Sequence, residues 1–133
     1  MKDNISSNDL AYLGDAVFEL LVRRRLVEAG VRRPSDEAVS YVSAAAQSDA
    51  FSRIEDALTE EERDVYHRAR NNYHTQNVPK SASAVQYRRA TGFEAVFGWL
   101  YLRGDEARIE ELFNTACGQN NITEKTERKS END

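Results

Sequence analysis

The sequence predicts an all-α fold, a helical bundle of about six helices, and three observations carry that reading. The two prolines, Pro34 and Pro79, both fall where a connection is expected. Three of the six glycines, Gly30, Gly104 and Gly118, follow helical runs at the place where a left-handed residue ends a helix. No stretch alternates apolar and polar residues for long enough to compel a strand.

The first helix is predicted from about Asn8 to Ala29, with Ser7 or Asn8 as its cap. After the turn from Gly30 to Pro34, Ser35 caps a second helix through about Gln47, and Ser48 or Asp49 opens a short one to Leu58. Thr59 followed three residues later by Glu62 is a capping box, and the helix it starts carries Val65, Tyr66 and Ala69. Residues 71–82 lack a helical period and form the one substantial internal loop. A long apolar helix then spans roughly Ser83 to Leu102. Asp105 caps a last one, in which Ile109, Leu112, Phe113 and Ala116 recur at helical spacing. Residues 1–118 read as one domain, and the polar, aperiodic residues 119–133 as a disordered tail.

Composition narrows the class. Hydrophobic residues make up 40% and charged residues 31%, which is the profile of a water-soluble globular chain rather than a disordered one. No apolar run approaches the ~20 residues of a membrane span, and no apolar segment of secretory type follows the N-terminus. The single cysteine, Cys117, reads as a buried thiol, and a cytoplasmic setting is expected. A net charge of −5 argues against a nucleic-acid partner, but its distribution does not. Residues 63–89 hold Arg63, Arg68, Arg70, Lys80, Arg88 and Arg89 against one acid, Asp64. That cluster is either a solvated face or a phosphate-binding one.

The sharpest signal is two acids in apolar surroundings. Asp15 lies within Ala11-Tyr-Leu-Gly-Asp-Ala-Val-Phe18, and Glu94 within Gly92-Phe-Glu-Ala-Val-Phe-Gly-Trp-Leu100. A buried carboxylate must be neutralised, paired with a cation or bound to a metal. Gly14 and Gly92 stand beside the two acids, although glycine inside a helix costs ~1 kcal/mol against alanine. A close approach by another backbone or a ligand would explain both glycines. Two readings remain open for the acids: a shared metal ion, or separate pairing with arginines or capping of neighbouring helices. Glu19 and Arg23, on one stripe with Asp15, read as a surface pair. Oxygen ligands without a well-placed histidine or cysteine favour Mg²⁺ or Mn²⁺ over zinc. Tyr12, Phe93, Trp99 and Tyr101 read as core or dimer packing, and His67 and His74 as ordinary surface histidines.

Leu10-Ala-Tyr-Leu-Gly-Asp-Ala-Val-Phe-Glu19 resembles the signature helix of the ribonuclease III catalytic domain. Tyr87-Arg-Arg-Ala-Thr-Gly-Phe-Glu-Ala-Val-Phe-Gly-Trp-Leu-Tyr-Leu102 resembles that family's second catalytic segment. The resemblance covers about residues 8–118, and it is greatest to the Mini-ribonuclease III subfamily, which has the catalytic domain without a double-stranded-RNA-binding domain. It implies a ribonuclease III endonuclease-domain fold that forms a homodimer, with Asp15 and Glu94 as catalytic metal ligands for Mg²⁺ or Mn²⁺. The implied activity is endonucleolytic hydrolysis of double-stranded RNA to 5′-phosphate and 3′-hydroxyl ends, in the maturation of precursor 23S ribosomal RNA. A catalytically inactive RNA-binding or ribosome-assembly scaffold is the alternative. Arg70-Asn71 resembles part of a phosphate-contacting run in relatives, in which Ala69 and Tyr73 here replace a glycine and a lysine. Arg70, Asn71, Lys80 and Arg88 are therefore the candidate RNA contacts. Further acids found in the longer enzymes are replaced here by Ala11 and Thr91, so the implied site is a minimal one.

Overall fold

Helix boundaries in this chain are set by short polar side chains that take over the hydrogen bonds a helix end leaves open. The structure, a computed structural model, describes residues 4–72 and 83–118. In chain order it contains α1 (Ser7–Glu28), α2 (Pro34–Val42), α3 (Ala44–Ile54), a short 3₁₀ turn (Glu55–Ala57), α4 (Glu60–Asn71), α5 (Ala84–Leu102) and α6 (Glu106–Cys117), with no strand among the described residues. The Ser6 hydroxyl caps α1 by accepting from the Asp9 N–H at 3.0 Å, so the cap lies one or two residues before the expected Ser7 or Asn8. Thr59 and Ser83 each form a complete capping box, with Glu62 and Gln86 respectively. Asp105 accepts from the Arg108 N–H at 3.2 Å and starts α6 as expected. The predicted loop over 71–82 falls mostly, and the predicted tail over 119–133 wholly, outside the described residues.

The second predicted helix is corrected by the structure. It begins at Pro34, with proline at the first helical position and no side-chain cap, and it stops at Val42 instead of running to Gln47. Ser43 causes the stop. Its backbone is extended (φ −65°, ψ 156°), and its hydroxyl accepts from the Ala46 N–H at 3.1 Å, so α3 starts four to five residues earlier than expected. A serine side chain that can satisfy the next helix competes with continuation of the first.

At the other ends, Gly30 (φ 74°) and Gly104 (φ 72°) close α1 and α5 in left-handed geometry. Val31 N–H reaches back to Leu26 O and Asp105 N–H to Leu100 O, both at 3.1 Å, which completes a Schellman turn at each site.

Helix α5 runs through the middle of the bundle and packs against α1, α3, α4 and α6. Its Phe93, Val96, Phe97 and Leu100 are buried, as the all-round apolar pattern anticipates. Phe18 of α1 meets the rings of Phe93, Phe97 and Phe113 at centroid distances of 5.1, 5.8 and 5.7 Å, mostly edge to face. Phe51 of α3 stacks on Tyr66 of α4 at 3.9 Å. Arg108 of α6 grips the buried Glu62 with two bonds, Nε to Oε2 at 2.9 Å and Nη2 to Oε1 at 2.8 Å, and donates to Ala57 O as well. The same Glu62 carboxylate closes the α4 capping box, so one buried acid serves two helices. Cys117 is buried, in agreement with its reading as a core thiol.

The tightest contact is between backbones. A Cβ on Gly14 would fall 1.6 Å from Glu94 O and 2.9 Å from Gly98 N, and one on Gly98 would fall 2.0 Å from Leu10 O. Helices α1 and α5 therefore cross with main chain against main chain. Gly92 has a different neighbour, the Tyr66 ring, whose nearest atom would lie 2.4 Å from a Cβ added there. Elsewhere in a helix, alanine in place of glycine gains ~1 kcal/mol. Here the carbonyls cannot step aside, and overpacking costs of about 1–3 kcal/mol or more decide the sign. Thermal melts should show Gly14→Ala and Gly98→Ala each destabilised by about 2 kcal/mol or more, with Gly104→Ala, which has open space, losing only the ~1 kcal/mol of its left-handed backbone.

Candidate active site

The glycine crossing decides where the two acids go. Gly14 is pressed against the Glu94 carbonyl, and the next residue along α1 is Asp15. Its carboxyl meets that of Glu94 closely enough for a hydrogen bond between them. The structure thus brings the two sequence-predicted residues together, but it does not bury both. Asp15 is exposed and Glu94 is half-buried. The buried stripe of α1 runs through Leu10, Gly14, Val17, Phe18, Leu21 and Val22, and Asp15 stands at its flank. Its apolar neighbours Tyr12 and Ala16 face outward, so local apolar character overstated its burial.

The electrostatics follow from that placement. Burial pushes the Glu94 carboxyl up from the ordinary 4.5, the hydrogen bond and the negative charge of Asp15 push it further, and the Gln47 side chain pulls weakly the other way, leaving it at about 9. Glu94 accordingly holds a proton at neutral pH. Neither acid forms an ion pair with a described residue, and neither caps a helix. The arginine-pairing and capping alternatives are therefore not realised among the described residues. Glu19 and Arg23 do form the expected surface pair at 2.9 Å.

Two carboxyls this close repel once both are ionised, and a hard divalent cation would relieve that repulsion. Among the described residues no group of three or more acids, histidines or cysteines is placed to hold a metal. An ion held here by Asp15 and Glu94 would have to complete its shell with water and substrate phosphate. Ala11 is buried, and the Thr91 hydroxyl turns back to donate to Tyr87 O at 2.9 Å.

Sequence reasoning missed Gln47. It is 2% exposed, and its side chain lies beside the Glu94 carboxyl. The signal was there to read: Gln47, Ala50, Phe51 and Ile54 follow the i, i+3, i+4, i+7 spacing of one buried face.

Of the described candidate RNA contacts, Arg70 and Asn71 follow Ala69, which packs in one cluster with Ala11 of α1 and Ala95 of α5. Arg70 and Asn71 end α4, where Arg70 Nε donates to Asn71 Oδ1 at 3.2 Å and the guanidinium sits 5.7 Å from the Tyr66 ring. Arg88, on the first turns of α5, donates through Nε to Ala84 O at 3.3 Å. Lys80 and His74 lie outside the described residues, and His67 packs half-buried against Tyr66. Of the aromatics, Phe93 is in the core, Trp99 is half-buried under the Arg103 guanidinium, and Tyr12 and Tyr101 are exposed.

Comparisons with known proteins converge on one family. The Ribonuclease III domain family matches residues 8–105 of the chain. The Mini-ribonuclease 3 of Symbiobacterium thermophilum is 46% identical to it over 111 residues, spanning 81% of this chain and 85% of the relative. The Mini-ribonuclease 3 of Streptococcus pneumoniae is 43% identical over 109 residues, spanning 77% and 84%. Among solved structures, the X-ray crystal structure of a protein from Fusobacterium nucleatum is similar with a TM-score of 0.77 at 31% identity, over 84% of this chain and 91% of that one.

The raised Glu94 pKa carries a sign for stability. A carboxyl that binds its proton more tightly when folded contributes stability that is full below the unfolded value of about 4.5 and is lost as pH rises toward about 9. Burial pushes Glu62 up as well, but its bonds from Arg108 and Thr59 outweigh that and hold it low, so its contribution is lost in acid instead. Thermal melts of metal-free protein should therefore decline from pH 6 to about 9, and Glu94→Gln should flatten that limb while leaving the acid limb intact. An unchanged alkaline decline in Glu94→Gln would show that Glu94 is already ionised at neutral pH.

Proposed function

The chain belongs to the ribonuclease III family, among relatives named Mini-ribonuclease 3, and from that premise we propose that it is a divalent-metal-dependent endoribonuclease acting on double-stranded RNA, with Asp15 and Glu94 as its catalytic metal ligands. The observation that carries this reading is the meeting of the two carboxyls across the α1–α5 crossing with no protein cation to neutralise them among the described residues. Asp15 offers its oxygens from the exposed side, where a duplex can approach, and Glu94 offers its own from the half-buried side. Glu94 gives up its proton as the site takes a cation, which couples loading to pH. A Mg²⁺ or Mn²⁺ ion held there supplies Lewis-acid polarisation of the scissile phosphate and a lowered pKa for attacking water. In the hydrolysis proposed, the water oxygen bonds to phosphorus as the P–O3′ bond breaks, leaving 5′-phosphate and 3′-hydroxyl ends.

Arg70, Asn71, Lys80 and Arg88 are the proposed phosphate contacts. Duplex RNA presents its shape, phosphates and 2′-hydroxyls rather than its base edges, so tolerance of sequence is expected. The homodimer has a candidate seam in the exposed apolar side chains of α1, Tyr12, Leu20 and Val27. Precursor 23S ribosomal RNA is the substrate the family resemblance suggests, and the cytoplasm is the corresponding place of action. No helix among the described residues is long and apolar enough to cross a membrane.

Incubation of a labelled RNA duplex with Mg²⁺ tests the assignment. Asp15→Asn and Glu94→Gln should each lower the cleavage rate by at least on the order of 10²-fold while still binding RNA. Wild type that cuts no faster than either variant would leave the binding-scaffold reading in its place. Binding measured with the uncleaving variant should weaken steeply with salt, and adding Arg70→Ala should reduce the slope of log affinity against log salt by about one. A slope unchanged by Arg70→Ala would remove that residue from the interface.

A further inference from the structure

Gln47 is buried where an apolar side chain of the same length would fit with less cost. It is 2% exposed, on the face of α3 that packs toward α5, and its Nε2 has no hydrogen-bond partner among the described residues. An amide kept in that state without a partner is a loss to folding, and such groups are rare in native interiors. Its neighbour explains its presence. Among the described residues, Asp15 from α1 and Gln47 from α3 are the side chains that act on the Glu94 carboxyl. Asp15 makes that carboxyl harder to ionise and the Gln47 side chain makes it easier, which is the effect of a neutral donor beside it. Ala11 and Thr91 bring no acid to the site, and the Thr91 hydroxyl is committed to its own helix.

We propose that Gln47 is a positioning residue of the site: its side-chain N–H holds one oxygen of the Glu94 carboxylate and so keeps the other turned toward Asp15 and the cation the pair takes. The inference rests on the reading of Asp15 and Glu94 as metal ligands and adds to it the group that orients one of them. Partners of this kind fix the ligand's orientation and tune its affinity without touching the ion. A donor that is poorly satisfied in the metal-free protein is tolerated because its use comes with the bound state.

The test separates this role from a structural one by measuring two quantities on the same proteins. Gln47→Met keeps the volume and removes the donor, and Gln47→Asn keeps the amide but shortens its arm by one methylene. Thermal stability of the metal-free protein and the Mn²⁺ dissociation constant by titration calorimetry are compared with wild type and with Asp15→Asn. The expected result is a Tm for Gln47→Met equal to or above that of wild type, with Mn²⁺ binding weakened about 10–100-fold in both Gln47 variants. Mn²⁺ affinity within about twofold of wild type in either folded variant, while Asp15→Asn abolishes binding, overturns the role of Gln47 and leaves the metal site standing. A fall in Tm with unchanged affinity likewise assigns Gln47 to structure alone. Wild type that binds Mn²⁺ no more tightly than Asp15→Asn overturns both readings.

Discussion

The contact on which the rest of this molecule depends involves no side chain on one of its faces. Helices α1 and α5 meet at Gly14 and Gly98, each lying against the other helix's backbone at a distance no Cβ could share. Two consequences follow from that crossing. The aromatic residues on either side, Phe18 from α1 and Phe93 and Phe97 from α5, are drawn into one edge-to-face cluster. The residue after Gly14 and the residue four before Gly98 are brought side by side, and these are Asp15 and Glu94. Packing and chemistry thus derive from the same close approach. The helix-propensity cost of two interior glycines is the cost of bringing the two carboxyls into contact.

The same approach stores electrostatic work. Two like groups forced together, one of them half-buried, cannot both ionise cheaply, and the protein resolves this by leaving a proton on Glu94. Under the proposed function that cost has a use, because polar groups arranged for an occupied state carry some cost in the empty one. Glu62 makes a useful contrast. It is at least as well buried, yet Arg108 and the α4 cap bond both of its oxygens, so its charge is fully provided for within the protein. Glu62 is held by a cation and a cap within the fold, whereas half-buried Glu94 faces another acid.

Much of this was legible in the sequence. Element type, the Thr59–Glu62 capping box, the terminal glycines and the central position of α5 all follow from local signals that agree with the tertiary fold. Asp15 and Glu94 stood out because acids and glycines interrupt apolar runs. What failed did so for identifiable reasons. Ser43 looks like an ordinary helix residue until its hydroxyl is seen to serve the next helix, a competition between two local hydrogen-bonding solutions that periodicity does not weigh. The exposure of Asp15 was hidden because its outward neighbours, Tyr12 and Ala16, are themselves apolar, so solvent face and buried face look alike in the sequence. Gly98 drew no notice among aromatic neighbours, since a glycine required by a partner backbone cannot be told from a tolerated one without that partner. Gln47 lay on a legible face but belongs to a type that surface helices use freely.

Helix α4 shows how far a cap can act from its own position. At its first turn it is clamped twice, by Thr59 and by the Arg108 grip on Glu62, and at mid-length its Tyr66 is held between Phe51 and the Cα of Gly92. Beyond Tyr66 the helix runs about one more turn, in which Ala69 is fully buried in one cluster with Leu10, Ala11 and Ala95, to Arg70 and Asn71. In mechanical terms it is a beam with a fixed root and supports at midspan and near its end, carrying Arg70 just past the last support. Such a beam moves little along its length, so the place of Arg70 is tied to the same α1–α5 pair that sets the two acids side by side.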